Sequence, residues 1–440
     1  MRACNTHPRP VSAVLENGRW KVGGCDLRAV AQRFGTPLYL VDRATIQAAC
    51  QAYLDGLSSY PGSVEVTFAS KSLPAVAIDR LIYDAGLGIE ASWGGEIQAA
   101  LSGGVPGERI SFNGNNKSAD ELRFALENKV GRFIVDGFGE LQALDEMARS
   151  TETRPKVTLR LTPGIEAHTH EFIRTGQVDS KFGFGEPELD EAFRFLSDSS
   201  LDYQGVQAHI GSQIFETEPF RVLVSFLFDC AEKARAYGLE TTEINLGGGL
   251  GIAYSEEDNP PAIYDFAKML ASFVEEEARA RHQAYPRMVL EPGRSIVGTA
   301  GFTLYTAGHE KIVPGVRRYV MVDGGMPDNP RPITYGSSYL ADLVEPREVP
   351  NEKVTIAGKC CESGDILIDD AKIDPRPGDL VIVWTTGAYC FAMSSNYNRL
   401  PRPAMVLLGD GKAQLIRERE RYLDLIKGES VPCEPCEVRG

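Results

Sequence analysis

"VEVTFASK", residues 64–71, opens the rhythm that decides the fold. Its apolar and β-branched residues read as a buried strand, and it ends on a lysine. An amphipathic stretch follows as far as "YDAGLG". The pattern then recurs in "GIEAS" (88–92), "RISFNG" (109–114), "RFIVDG" (132–137), "VTLRLTP" (157–163), "LDYQGVQAHIGS" (201–212), "TTEINLGGG" (241–249) and "RMVLEPGR" (287–294). Helical stretches such as "GGEIQAALSGG" and "SADELRFALENK" separate most of them. Alternating β and α segments with short loops predict parallel strands. Eight such units in about 230 residues match a (β/α)8 barrel in count and length. A doubly wound open sheet is the alternative, although it rarely runs to eight units.

The ends of the runs are polar: Lys71, Glu90 with Ser92, Asn113, Asp136, Arg160, His209 with Ser212, Gly247 to Gly249, then Glu291 with Arg294. In a parallel barrel these ends share one face, where the reactive groups of such barrels gather. Beyond about residue 300 the texture changes. "FTLYTAGHEKIV", "RRYVMVDGG", "EKVTIAGKCC", "DILIDD", "DLVIVWTTGAYC" and "PAMVLL" read as strands with few helical intervals. The expected architecture is α/β: a (β/α)8 barrel plus a C-terminal antiparallel β domain joined by N-terminal strands. The units are 1–44 (N-terminal strands), 45–300 (barrel) and 301–440 (β domain).

At 440 residues, 43% hydrophobic and 24% charged, the composition is that of a soluble globular protein. No apolar run approaches a membrane span, and the opening "MRACNTHPRPVSAVLENG" has no apolar export core. A cytoplasmic location is therefore expected, with nine cysteines read as thiols. A net charge of −15 argues against nucleic acid as a partner. The pairs His168/His170 and Cys433/Cys436 each leave a metal two ligands short, so no metal is expected.

"NLGGGLG" places three glycines after a strand, where backbone amides can approach an anion closely. It lacks the acidic residue of a dinucleotide site about 20 positions on, so the phosphate of a smaller cofactor fits better. A tight turn that simply needs glycine is the plainer reading. Lys71 is either a surface lysine or a buried amine of lowered pKa suited to a Schiff base. Together, an amine, a phosphate cradle and a carboxylate on one barrel face form the set that pyridoxal 5'-phosphate requires, with Glu291 for the ring nitrogen.

"FASKS", "HIGSQI", "NLGGGLGI", "EPGRSIVG", "VDGGMPDNPRPITYG", "CESGD" and "GAYCFAMSSNYN" occur in this order. In these motifs, from about residue 35 to 415, the chain resembles the diaminopimelate decarboxylase family. That family is a branch of the barrel-type pyridoxal-phosphate decarboxylases that include ornithine decarboxylase; "CESGD" and "SSNYN" favour this branch. The resemblance implies a carboxy-lyase that converts meso-2,6-diaminoheptanedioate to L-lysine in lysine biosynthesis. It implies that Lys71 takes the cofactor's aldehyde and that His209 stacks on its ring. Ser212, Gly249, Glu291, Gly293 and Arg294 hold the cofactor, helped by Tyr389. Arg294, Arg331, Tyr335 and Tyr389 surround the substrate, with the arginines and Tyr335 gripping its distal carboxylate. Glu362 meets the distal ammonium and Cys361 returns the proton after CO2 departs. It also implies a homodimer in which Cys361 and Glu362 enter the neighbouring subunit's site.

These roles suit the residue types. Guanidinium groups offer planar paired donors to a carboxylate. A thiol whose ordinary pKa is about 8.5 is a neutral donor at pH 7. The chain departs from the family pattern at Glu90, where aspartate is usual, and at "FASKS". "GKCCES" carries a second cysteine, and alternation along a strand would put Cys360 and Cys361 on opposite faces. On that ground Cys360 is read as strand packing, and Cys361 and Glu362 as the tip of a loop. Three competing functions are a sister decarboxylase, a racemase, and a non-catalytic cofactor-binding barrel, which would not need Arg331, Cys361 or Glu362.

Overall fold

The computed structural model describes residues 3–164, 180–348 and 353–431. His168, His170, Cys433 and Cys436 lie outside the described residues. Ahead of the barrel come β1 (Val14–Glu16), β2 (Arg19–Val22), β3 (Cys25–Asp26) and β4 (Leu38–Asp42). The first three pair as a small sheet, whereas β4, buried along its whole length, joins the β domain.

The alternating segments close into a parallel barrel of eight strands. They are β5 (Val64–Ala69), β6 (Gly88–Ala91), β7 (Ile110–Phe112), β8 (Arg132–Val135), β9 (Lys156–Leu161), β10 (Asp202–Ala208), β11 (Glu243–Asn245) and β12 (Arg287–Leu290). The circle is completed where Val289 of β12 pairs with Glu65 of β5. Helices outside and side chains inside bury both faces of these strands. Phe68, Ile89, Phe112, Phe133, Leu159, Val206 and Ile244 are all buried accordingly. The open-sheet alternative is excluded.

Nine strands form the second sheet. Besides β4 it contains β13 (Gly301–Val313), β14 (Arg317–Val322), β15 (Ala341–Leu343), β16 (Val354–Ala357), β17 (Ile366–Ala371), β18 (Leu380–Val383), β19 (Ala404–Gly409) and β20 (Lys412–Arg417). Most pairs are antiparallel, as expected. Two are not: β4 runs parallel to β19, and β14 parallel to β16. Both of these pairs join strands that are not neighbours in the chain, so no hairpin dictates their direction. Trp384, Phe302, Leu38 and Val406 anchor a separate core under β4. The sheet meets the barrel mouth where the Tyr389 amide donates to the Ser72 carbonyl at 2.7 Å. Among the described residues, no helix is long and apolar enough to cross a membrane.

Candidate active site

The polar strand ends converge as expected. Lys71 lies in the turn after β5, His209 and Ser212 follow β10, Gly249 follows β11, and Glu291, Gly293 and Arg294 follow β12. With Tyr389 they line an inner cavity. It opens into a wider outer cavity, whose wall adds Arg331 and Tyr335 from the short helix Arg331–Tyr335 of the β domain.

Lys71 Nζ stands 3.7 Å from Glu90 Oε2. The expectation of a lowered amine pKa is corrected: Glu90 outweighs burial and raises it. Glu90 is buried and also accepts a hydrogen bond from Ser92 Oγ at 3.2 Å. His209 Nδ1 accepts from the Gly248 amide at 3.2 Å. Burial, then the Lys71 and Arg160 charges, push its pKa down to about 3, so the imidazole is neutral and presents an uncharged ring.

Glu291 is buried between two amides. Its Oε1 accepts from Asn245 Nδ2 at 2.8 Å and its Oε2 from Gln207 Nε2 at 2.9 Å. Burial, then Glu90, raise its pKa to about 7. Such a carboxyl is poised for a cationic N–H, as a protonated pyridine supplies. The glycines beside it are required. A Cβ on Gly248 would lie 2.4 Å from the Glu291 carbonyl, and Gly249 has a φ of +124°. With Ser212 and Arg294 on the same wall, the donors suit a phosphate. An amine, an uncharged ring, a buried acid and an anion cradle together fit pyridoxal phosphate.

Arg294 and Arg331 are 4% and 5% exposed, yet neither forms an ion pair among the described residues. Both approach the Tyr389 ring, at 5.0 and 5.7 Å from its centroid. Tyr389 itself has a φ of +67°, and Arg331 also covers the Tyr335 ring at 4.8 Å. Two desolvated guanidinium groups without a carboxylate make a strong anion site.

Cys361 and Glu362 are not brought to this cavity within one chain. They are exposed between β16 and β17, and the Cys361 amide donates to Asn398 Oδ1 at 2.8 Å. The reading of Cys360 as strand packing is overturned, because β16 stops at Ala357. Asp365 turns the chain: its carboxylate accepts from the amides of Cys360 at 2.9 Å and Met326 at 2.6 Å. Gly358 leaves room for it, since a Cβ there would lie 2.1 Å from Asp365 Oδ2. Burial, then Asp365, push the Cys360 thiol up to about 12.

Arg160, one of the expected strand ends, pairs with Asp136 at 3.4 Å and lies over the Phe182 ring. Gln207 and Asn245, which hold Glu291, were not singled out beforehand. Period-two spacing would have found them, since Gln207 and His209, like Asn245 and Gly247, share a face of one strand.

A family model described as "Pyridoxal-dependent decarboxylase, pyridoxal binding domain" matches residues 43–298. Diaminopimelate decarboxylase of Synechocystis sp. is 44% identical, covering 97% of this chain and 94% of its own length. That of Bacillus subtilis is 43% identical over 94% of this chain and 95% of its own. The crystal structure of diaminopimelate decarboxylase from M. jannaschii in complex with L-lysine superposes with a TM-score of 0.89 at 33% identity. It covers 96% of this chain and 98% of that one.

Proposed function

The chain belongs to the pyridoxal-dependent decarboxylases, and from that premise we propose how its own residues divide the work. It is a carboxy-lyase that uses pyridoxal phosphate to convert meso-2,6-diaminoheptanedioate to L-lysine and CO2. The observation that carries the assignment of residues is the pair of buried arginines that have no carboxylate partner among the described residues. Arg294, Arg331 and Tyr335 bind the substrate's far carboxylate. Ornithine or lysine bound through one α-amino acid end would leave those cations bare when that end enters the reactive pocket.

When bound, pyridoxal phosphate supplies an electron sink for the pair that CO2 leaves behind. Lys71 provides the amine for its aldehyde, and Glu90 keeps that amine oriented. The neutral, buried His209 would offer its ring to the cofactor's, and Glu291 would pair with the ring nitrogen. Ser212, Gly249, Gly293 and the Arg294 backbone hold the phosphate, with Tyr389 closing the wall. Residues 45–300 are the cofactor-binding unit, flanked by 1–44 and 301–440. Cys361 delivers the returning proton, and Glu362 receives the far ammonium. Both are exposed and outside their own chain's cavity, which supports a homodimer whose partner supplies them. A cytoplasmic location completes the proposal.

Two measurements test this reading. A substrate panel should show diaminopimelate turned over faster than ornithine, lysine or arginine; preference for any of those three overturns the assignment. Lys71→Ala and Cys361→Ala homodimers should each be nearly inactive. Mixed subunits should recover roughly a quarter of the parental activity, because half the dimers are hybrids with one intact site. No recovery on mixing overturns the shared site.

A further inference from the structure

Arg294 and Arg331 reach the cavity from different units, the barrel end and the β domain, yet two tyrosines behind them join their bases. Arg294 Nη1 donates to the Tyr254 hydroxyl. The Tyr254 ring stands edge-on to Tyr339, with centroids 5.5 Å apart and 86° between planes. Arg331 Nη2 donates at 3.4 Å to Ser337 Oγ, on the segment that carries Tyr339, and its guanidinium lies 5.7 Å from the ring centroid of Tyr389, the neighbour of Cys390. The Tyr339 hydroxyl is 3.5 Å from Cys390 Sγ, and this thiol donates to Asn329 Oδ1 at 3.2 Å. Neither tyrosine lines the cavity.

Tyr254 is fixed from its own side. Asp258 accepts its amide at 2.8 Å. Asn5, fully buried, clamps the same loop: its backbone carbonyl accepts from Ala253 at 2.9 Å, and its side chain bonds Pro261 O at 3.0 Å and Ile263 N at 3.2 Å. Tyr339 is buried in the β domain. Two like charges near one Tyr389 ring repel, so their spacing requires an external brace. Neutral phenols provide one without cancelling the charge that the substrate must meet.

We propose that the Tyr254–Tyr339 pair is a positioning device that fixes the spacing of Arg294 and Arg331 across the two units, and so sets selectivity for a substrate with a carboxylate at its far end. This rests on the reading of the two arginines as the carboxylate clamp.

Tyr254→Phe and Tyr339→Phe keep the stacked rings and delete the hydroxyls. Two inhibitors separate the effects: L-lysine keeps the far carboxylate, and 1,5-diaminopentane lacks any. In each variant the KM for diaminopimelate and the inhibition constant of L-lysine should rise about five- to tenfold, with kcat within about twofold. The diaminopentane constant, the affinity for pyridoxal phosphate and the melting temperature should stay at parental values. Unchanged KM and L-lysine constants in both variants overturn the brace, as does equal weakening of L-lysine and diaminopentane. Arg331→Met tells the two failures apart. If it leaves L-lysine binding intact, the clamp itself is wrong; if it weakens L-lysine while both phenylalanine variants bind normally, only the brace is wrong.

Discussion

Two kinds of buried arginine occupy this molecule. Inside the barrel, Arg132 lies 2.9 Å from Glu65 and 2.7 Å from Glu243. Arg287 approaches the same two carboxylates at 3.6 and 3.2 Å, so two cations face two anions. At the mouth, Arg294 and Arg331 have phenol rings and hydroxyls around them and, among the described residues, no carboxylate in ion-pair contact. A fold can bury a guanidinium only against a counter-charge. Where the chain supplies the anion the role is structural, and where it leaves the cation bare a ligand must complete it.

Breaking the closed group should have the largest effect. Arg132→Met leaves Glu65 and Glu243 with only the more distant, part-exposed Arg287 and should cost about 3–5 kcal/mol of stability, read by denaturant unfolding, while the folded fraction keeps its KM. A loss below about 1 kcal/mol would mean the two groups do not differ in kind. Arg331→Met should do the reverse: KM for diaminopimelate rises on the order of 10- to 100-fold, with unfolding free energy unchanged or higher. If instead stability drops and KM holds, Arg331 belongs with the structural group.

The smallest expected effect concerns the buried acid opposite Lys71. Because burial and Glu90 raise Glu291 from 4.5 to about 7, the folded cofactor-free chain holds a proton that the unfolded chain releases. Its contribution to stability is complete below pH 4.5 and is lost as pH rises through about 7. Cofactor-free Glu291→Gln lacks this loss, so its melting temperature should fall less than the parent's between pH 5 and 8. Parallel curves would show that Glu291 is not the titrating group.

The barrel was legible because each strand announces itself twice, by an apolar run and by the polar residue that ends it. Lys71, His209 and Glu291 could therefore be placed on one face before any coordinates. Long-range effects were not legible. The rise in the Lys71 pKa depends on Glu90, which is contributed by the next strand. The end of β16 depends on Asp365, which captures the Cys360 and Met326 amides from across a turn. A local reading of "VTIAGKCC" continued the strand because nothing within it says stop. The tyrosines behind the arginines were equally hidden, since Tyr254 and Tyr339 meet only when barrel and β domain pack.

The place of β4 has a consequence for the making of the protein. Its five buried residues, Leu38–Asp42, lie between β13 and β19. A ribosome delivers them roughly 260 residues before β13 and 360 before β19, a wait of about 20–70 s at ordinary elongation rates. All eight barrel strands emerge and can close during that interval, while "LYLVD" has no sheet to enter. A nascent chain halted short of Ala404 therefore carries a finished barrel and one sticky, half-partnered strand.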